Sequence, residues 1–231
     1  MLGLNLAVRI PVTFDVKKLQ RDLALAEKFQ MATHPLKYHN GAWSVLNLIY
    51  SGGKIHYTHD DAYGPRPGYG SEPPEKTPVL SECKYFNEIL DSFDTEILMA
   101  RLSALPPGGR VLQHYDPIES VDFGMMRLHI PIRTHPKVKF YLGYLRQNWR
   151  EGELWYGDFT FPHKITNASP VNRVHLIIDF ALSEKLLRYF PNNYLRYKEY
   201  RKKYRRLQRN FVWYEKKLQN TYDEIRKRIS I

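Results

Sequence analysis

The 231-residue sequence contains one cysteine, Cys83. An internal disulfide is therefore excluded, and the composition suits a reducing compartment, the cytoplasm. No apolar run approaches the ~20 residues that a membrane-spanning helix requires. The opening MLGLNLAVRIPVTF lacks a basic start and soon meets Pro11, so it reads as a strand rather than a secretory signal. Without such a signal, the sequon Asn167-Ala168-Ser169 carries no weight. Residues 1–192 also lack an excess of either charge. Of the net charge of +11, +9 falls between Asn193 and Ile231, where thirteen Lys or Arg meet four Asp or Glu. The body is near neutral and the basicity belongs to the tail.

What is present is a body of alternating segments. Residues 4–12 suggest an edge strand, and Asp15 is placed to cap a helix over Val16 to Met31. His34-Pro35 ends that helix, and Trp43 to Tyr50 reads as a strand. Ser51 to Pro78 holds five Gly and five Pro, and a loop of this length is expected to act as a lid over the substrate. His56, His59 and Asp60 lie in it; a flexible loop does not preorganise a metal, so they are set aside. A helix is expected from Glu82 to about Phe93, capped by Ser81. Strands follow at Ile97 to Leu105, Val111 to Tyr115, Met125 to Arg133, Val138 to Leu145, Glu153 to Tyr156, Phe159 to Ile165 and Arg173 to Phe180. Many short strands with turn signals predict a mainly β domain with flanking helices, a double-stranded β-helix (jelly roll, cupin-like) over residues 1–190. Residues 191–231 form a C-terminal helical extension.

The chemistry concentrates between Leu112 and Asp179. His114 and Asp116 are two residues apart, so one strand can turn both to the same ion. His163 follows Asp116 by 47 residues, enough for strands to return and close the site. Two histidines and a carboxylate on one face leave coordination positions open, as non-heme Fe(II) oxygenases need. Alone, His-x-Asp also describes a surface histidine beside a turn aspartate. Arg173, ten residues after His163, lies in the alternating segment RVHLIIDF. Arg173, His175, Ile177 and Asp179 share one face; Val174, Leu176, Ile178 and Phe180 share the other. A buried guanidinium needs a partner, and a cosubstrate carboxylate suits it. Arg127 and His129 repeat the pattern, opposite Leu128, Ile130 and Ile132. They would help bind a dianion, or form an internal salt bridge.

These residues resemble the aspartyl/asparaginyl β-hydroxylase-like group of 2-oxoglutarate dioxygenases, and within it the free-proline hydroxylases. The likeness rests on His114-x-Asp116, Arg127-x-His129, GELW…D…H from Gly152 to His163 and the segment from Arg173. HNGAW (His39 to Trp43), SGG (Ser51 to Gly53) and YFNEIL (Tyr85 to Leu90) add to it, so it spans roughly Val8 to Phe180. The resemblance implies His114, Asp116 and His163 as Fe(II) ligands, Arg173 on the distal carboxylate of 2-oxoglutarate, and Arg127 with His129 near the reacting end. It also implies hydroxylation of an unactivated C–H of an amino acid, free (proline-like or Asp/Asn-like) or within a peptide, with O2 consumed and 2-oxoglutarate decarboxylated to succinate. Trp43, Asn40 and Tyr141 are candidate pocket residues, with core packing as the alternative. Leu128 and Leu176 are expected to wall the site.

In the tail, Tyr197, Tyr200, Tyr204, Leu207, Phe211, Tyr214, Leu218, Tyr222, Ile225 and Ile229 recur at spacings of three and four. This predicts one long amphipathic helix or a helical hairpin, its charged face solvated. The sharper reading is a docking surface for an acidic partner or a dimer mate; tyrosine at this spacing disfavours nucleic acid. Two other functions stay open: a non-catalytic basic binding module on a cupin scaffold, and a zinc or manganese cupin such as an isomerase.

Overall fold

Short alternating segments in this chain pair into two antiparallel sheets that face each other. The computed structural model describes residues 5–36, 38–57 and 70–229. Among these residues the strands run in chain order β1 (Ala7–Thr13), β2 (Ala32–Thr33), β3 (Ser44–Ser51), β4 (Pro74–Lys76), β5 (Ile97–Leu105), β6 (Arg110–His114), β7 (Met125–Arg133), β8 (Val138–Leu142), β9 (Leu145–Gln147), β10 (Glu153–Gly157), β11 (His163–Asn167) and β12 (Arg173–Ala181). The larger sheet has the order β1-β10-β7-β12-β5-β3-β2, with β4 paired on β3; the smaller has the order β6-β11-β8-β9. This is the jelly roll that the strand pattern predicts.

Strand alternation sorts the side chains of the larger sheet into two populations. Leu128, Ile130, Ile132, Val174, Leu176, Ile178 and Phe180 point to the outer core. There they meet Leu19, Leu23 and Ala26 of α1 (Val16–Ala26), Val79 and Leu80 of α2 (Val79–Glu82), and Phe86, Ile89 and Leu90 of α3 (Lys84–Asp91). The opposite, inner face carries Arg101, Arg127, His129, Arg173, His175 and Asp179, all buried. Leu128 and Leu176 therefore do not wall the site as expected. They lie under the helices, and aromatic side chains (Phe140, Trp149 and Phe159) fill the space between the sheets instead.

Two helices differ from expectation for identifiable reasons. Asp15 caps α1 as predicted, accepting from Lys18 N at 3.1 Å. The helix stops at Ala26 rather than Met31, because its end tightens into i→i+3 bonds (Phe29 N to Ala26 O, 3.0 Å) before β2 pairs with β3. The segment expected as one helix from Glu82 is two, broken at Cys83. Ser81 sits inside α2 and does not cap; the buried carboxylate of Asp22 on α1 accepts from Tyr85 N (2.6 Å) and Phe86 N (3.0 Å) and starts α3 afresh. The expected strand Val138 to Leu145 is interrupted by a turn at Gly143 and Tyr144, both at positive φ. Gly152 of the GELW motif also sits at φ +77, and a Cβ there would come within 2.6 Å of Phe14 O.

After β12 come α4 (Glu184–Leu187), α5 (Asn192–Arg196) and α6 (Lys198–Ile229). The last is a single helix rather than a hairpin. Its orientation reverses the expectation. Arg201, Arg205, Gln208 and Val212 are buried against the body, whereas Tyr200, Leu207, Phe211, Tyr214 and Leu218 are exposed. The body decides this by presenting carboxylates. Asp122 pairs with Arg201 at 2.6 Å and with Arg205 at 2.7 Å, and Asp158 pairs with Arg205 at 3.0 Å.

Candidate metal and anion site

The smaller sheet brings the ligand candidates together. His114, at the end of β6, lies directly across from His163, at the start of β11. Asp116 lies just beyond β6, not on it, but alternation persists through Tyr115, which is exposed while its neighbours are buried. A backbone bond from Asp116 N to Phe159 O (2.9 Å) holds this loop against the one entering β11. One ligand atom from each of His114, Asp116 and His163 lies within 4.8 Å of the others. Among the described residues, no second group of this kind forms. His56 is exposed, with its Nε2 2.6 Å from Gln30 O. Residues 58–69 of the expected lid, His59 and Asp60 among them, lie outside the described residues.

Both imidazoles are set for coordination through Nε2. His114 Nδ1 donates to Leu112 O at 2.8 Å and His163 Nδ1 donates to Phe161 O at 3.0 Å, which leaves a lone pair on each Nε2. Burial, then the neighbouring His163, pulls His114 down to about 3; burial likewise lowers His163. The site thus holds neutral imidazoles. Asp116 divides its oxygens. Oδ1 is 3.7 Å from His114 Nε2, and Oδ2 accepts from Arg127 Nη1. Burial opposes ionisation of Asp116, but Arg127 outweighs it and holds the carboxyl below its usual range. Tyr38 stacks on His114 with ring centroids 3.7 Å apart. These features fit a metal ion: preset tautomers, an ionised carboxylate and a buried cleft.

The arginines differ in their partners. Arg127 grips Asp179 through two bonds of 2.6 and 2.7 Å, besides its contact with Asp116, so it forms the internal salt bridge. Glu119 Oε1 is 3.6 Å from it. Burial, then the charge of Asp116, raises the Glu119 carboxyl to about 7. Arg173 has no carboxylate partner among the described residues. Its Nη2 donates to His175 Nδ1 at 2.9 Å, its Nε bonds to nothing, and burial lowers it to about 9. Arg173 and His175 line a cavity of about 560 Å³ with Trp149 and Arg150; His114, Asp116 and His163 are not part of its wall. Trp149 Nε1 and His129 Nε2 are likewise buried and unbonded. His129 stacks on Phe159 (4.7 Å) and lies 5.3 Å from the Trp149 ring. The unbonded N–H groups of Arg173 and Trp149 call for a bound acceptor, and an acid group supplies one.

A second guanidinium went unread in the sequence. Arg101 is buried, bonds to Tyr57 Oη and leaves its Nε unpartnered. Its position in the alternation of β5 was the available signal. Two of the three candidate pocket residues have other duties. Trp43 donates to Ser103 Oγ at 2.8 Å and stacks on His34 at 3.7 Å. Asn40 bonds Arg110 N and Gly108 O, bracing the turn into β6. Tyr141 lines a pocket that His163 also lines, with Tyr144 and Lys164.

Two histidines and one carboxylate converging in a jelly roll define a class of fold that can hold one metal ion, and ten residues on stands a guanidinium with no carboxylate partner among the described residues. Comparison gives the family. The profile described as aspartyl/asparaginyl beta-hydroxylase matches residues 14–182, and the chain belongs to that family. L-proline cis-4-hydroxylase of Rhizobium meliloti (strain 1021) is 25% identical over 198 residues, 80% of this chain and 62% of that protein. The chain thus spans less than two-thirds of that relative's length. The crystal structure of an oxidoreductase of the 2OG-Fe(II) oxygenase family from Burkholderia pseudomallei matches with a TM-score of 0.50 at 13% identity, over 76% of this chain and 84% of that one, a likeness of fold.

Proposed function

We propose that this protein is an Fe(II)- and 2-oxoglutarate-dependent oxygenase that hydroxylates an unactivated C–H of an amino acid bearing a free acid group. The observation that carries the reading is the convergence of His114, Asp116 and His163 in a jelly roll whose inner face also holds Arg173, a buried cation with no carboxylate partner among the described residues. When bound, iron with 2-oxoglutarate supplies O2 activation, with decarboxylation to succinate and insertion of one oxygen atom into the substrate. The protein's own part is positional. His114 and His163 offer Nε2 because their Nδ1 protons are engaged. Arg127 keeps Asp116 ionised. Arg173 takes the far carboxylate of 2-oxoglutarate, and Phe159 and Trp149 exclude water around it. Arg101, the second guanidinium with no carboxylate partner among the described residues, would hold the acid group of the substrate.

The likeness to L-proline cis-4-hydroxylase makes L-proline the first substrate to try. The basic-module alternative loses ground, because Arg201 and Arg205 are turned inward onto Asp122 and Asp158. The test is mass spectrometry of a panel of free amino acids incubated with Fe(II), 2-oxoglutarate and O2. A gain of one oxygen atom coupled to succinate is expected, and it should vanish in His163→Ala. If that variant forms succinate at the parental rate, the site assignment fails.

A further inference from the structure

Arg209 lies in α6, outside residues 14–182 that match the family. Its Nε donates to Thr160 O at 3.0 Å and its Nη2 donates to Asp116 O at 3.2 Å, while the guanidinium lies over the Tyr115 ring, 4.3 Å from its centroid. One planar group therefore bridges the two loops that carry the ligands. Asp116 is itself a candidate ligand, and Thr160 stands three residues before His163. Neither carbonyl belongs to a strand. Apart from the Asp116 N to Phe159 O bond, these loops have no ladder between them to fix their spacing. The remainder of the helix face repeats the theme. Four residues earlier, Arg205 spans Asp122 and Asp158, one from each loop, with its guanidinium between the rings of Phe123 (5.0 Å) and Phe161 (5.1 Å).

We propose that Arg209 is a positioning residue for the metal site, so that the C-terminal helix completes a centre whose ligands all lie in the jelly roll. The reading rests on the metal site proposed above. Arg209 touches no ligand side chain; it acts by fixing the backbone that aims Asp116 and His163. The rigid fork of the guanidinium suits this role, because two donors in one plane set the distance between two carbonyls. Ligand geometry tolerates displacements of only about 0.5 Å, and loss of a group that orients a ligand commonly weakens metal binding about 10- to 100-fold.

The experiment uses the full chain without metal and titrates it with Co(II), read by visible absorption. Alongside, amide exchange is followed over residues 115–119 and 158–162, and the melting temperature is recorded. The variants are Arg209→Ala, Arg209→Lys and, as a control on the exposed face, Arg206→Ala. Arg209→Ala is expected to bind Co(II) about tenfold more weakly, with faster exchange in both loops and a melting temperature near that of the parent. Arg209→Lys, which keeps the charge but not the fork, should fall between, and Arg206→Ala should match the parent. Unchanged affinity and unchanged loop exchange in Arg209→Ala would overturn the proposal, as would a lowered melting temperature with parental affinity. Should Arg209→Ala fail to fold, Arg209→Lys decides by the same readouts. A parent that binds no Co(II) sinks the metal assignment instead, and loop exchange in the metal-free variants still tests the bridge.

Discussion

At the scale of single residues, the site is organised by which charges are balanced. Arg127 faces Asp179, Asp116 and Glu119, whereas Arg173 has only a histidine nitrogen. An unpaired buried cation lowers the stability of the ligand-free fold, because desolvation is not offset by a counter-charge. The same imbalance favours an incoming acid. Arg173→Met should therefore have two opposite effects. The ligand-free protein should melt a few degrees higher, since an apolar chain of similar length replaces the charge. The KM for 2-oxoglutarate should rise by about 30-fold or more, the scale of losing one partner of a buried charge pair at about 2–5 kcal/mol. Differential scanning calorimetry and steady-state kinetics check the two halves. A variant that melts lower and retains the parental KM would mean that Arg173 is structural.

At the scale of elements, α3 has no cap of its own. Cys83 offers no side-chain bond, and Asp22, from α1, accepts from Tyr85 N and Phe86 N. Asp22→Ala would strand two donors at the start of a packed helix. The expected cost is about 1–3 kcal/mol, read as a lower urea midpoint with an unchanged slope. A loss below half a kcal/mol would show that water replaces the carboxylate there. This element also marks where sequence reading stops. Ile97–Leu105 and Met125–Arg133 are legible to the residue because alternation is local. The cap from Asp22 is not, since it comes from more than sixty residues away. The orientation of α6 is illegible for a different reason. Arg201, Arg205, Gln208 and Val212 recur at spacings of four and three, as do Tyr200, Tyr204, Leu207 and Phe211. Periodicity identifies two stripes, and only the carboxylates of Asp122 and Asp158 select the basic one for burial. In the site, His114, Asp116, His163 and Arg173 carry their signal in spacing and Arg101 carries it in the alternation of β5, while Arg209 depends on neighbours that the chain order does not reveal.

For the whole molecule, the neutral interior of the site has a consequence for acid stability. His34, His129 and His175 are buried, and burial, with nearby arginines, holds each well below the ordinary histidine range. In the unfolded chain each takes a proton near pH 6.5; in the folded protein it does not. Their contribution is complete above pH 6.5 and is lost as the pH falls from there toward the depressed folded values. Each such group removes about 1.4 kcal/mol per pH unit in that window. Glu119 works in the opposite direction. With its carboxyl raised to about 7, it takes a proton in the folded state before it does so in the unfolded one. His114, held at about 3, adds a fourth proton and His163 is lowered too, so at least four protons against one leave a net of at least three, or roughly 4.1 kcal/mol per pH unit below pH 6. Over little more than one unit that reaches the lower end of the ~5–15 kcal/mol by which ordinary domains are stable. The metal-free protein should therefore unfold near pH 5, above the range in which ordinary aspartates titrate. Urea denaturation from pH 7.5 to 5.0 would give the slope directly, and His175→Asn should make it shallower by about one proton. Stability that stays level between pH 7 and 5 would mean that these imidazoles are charged in the fold, and the pocket around Arg173 would then hold more positive charge than its burial allows.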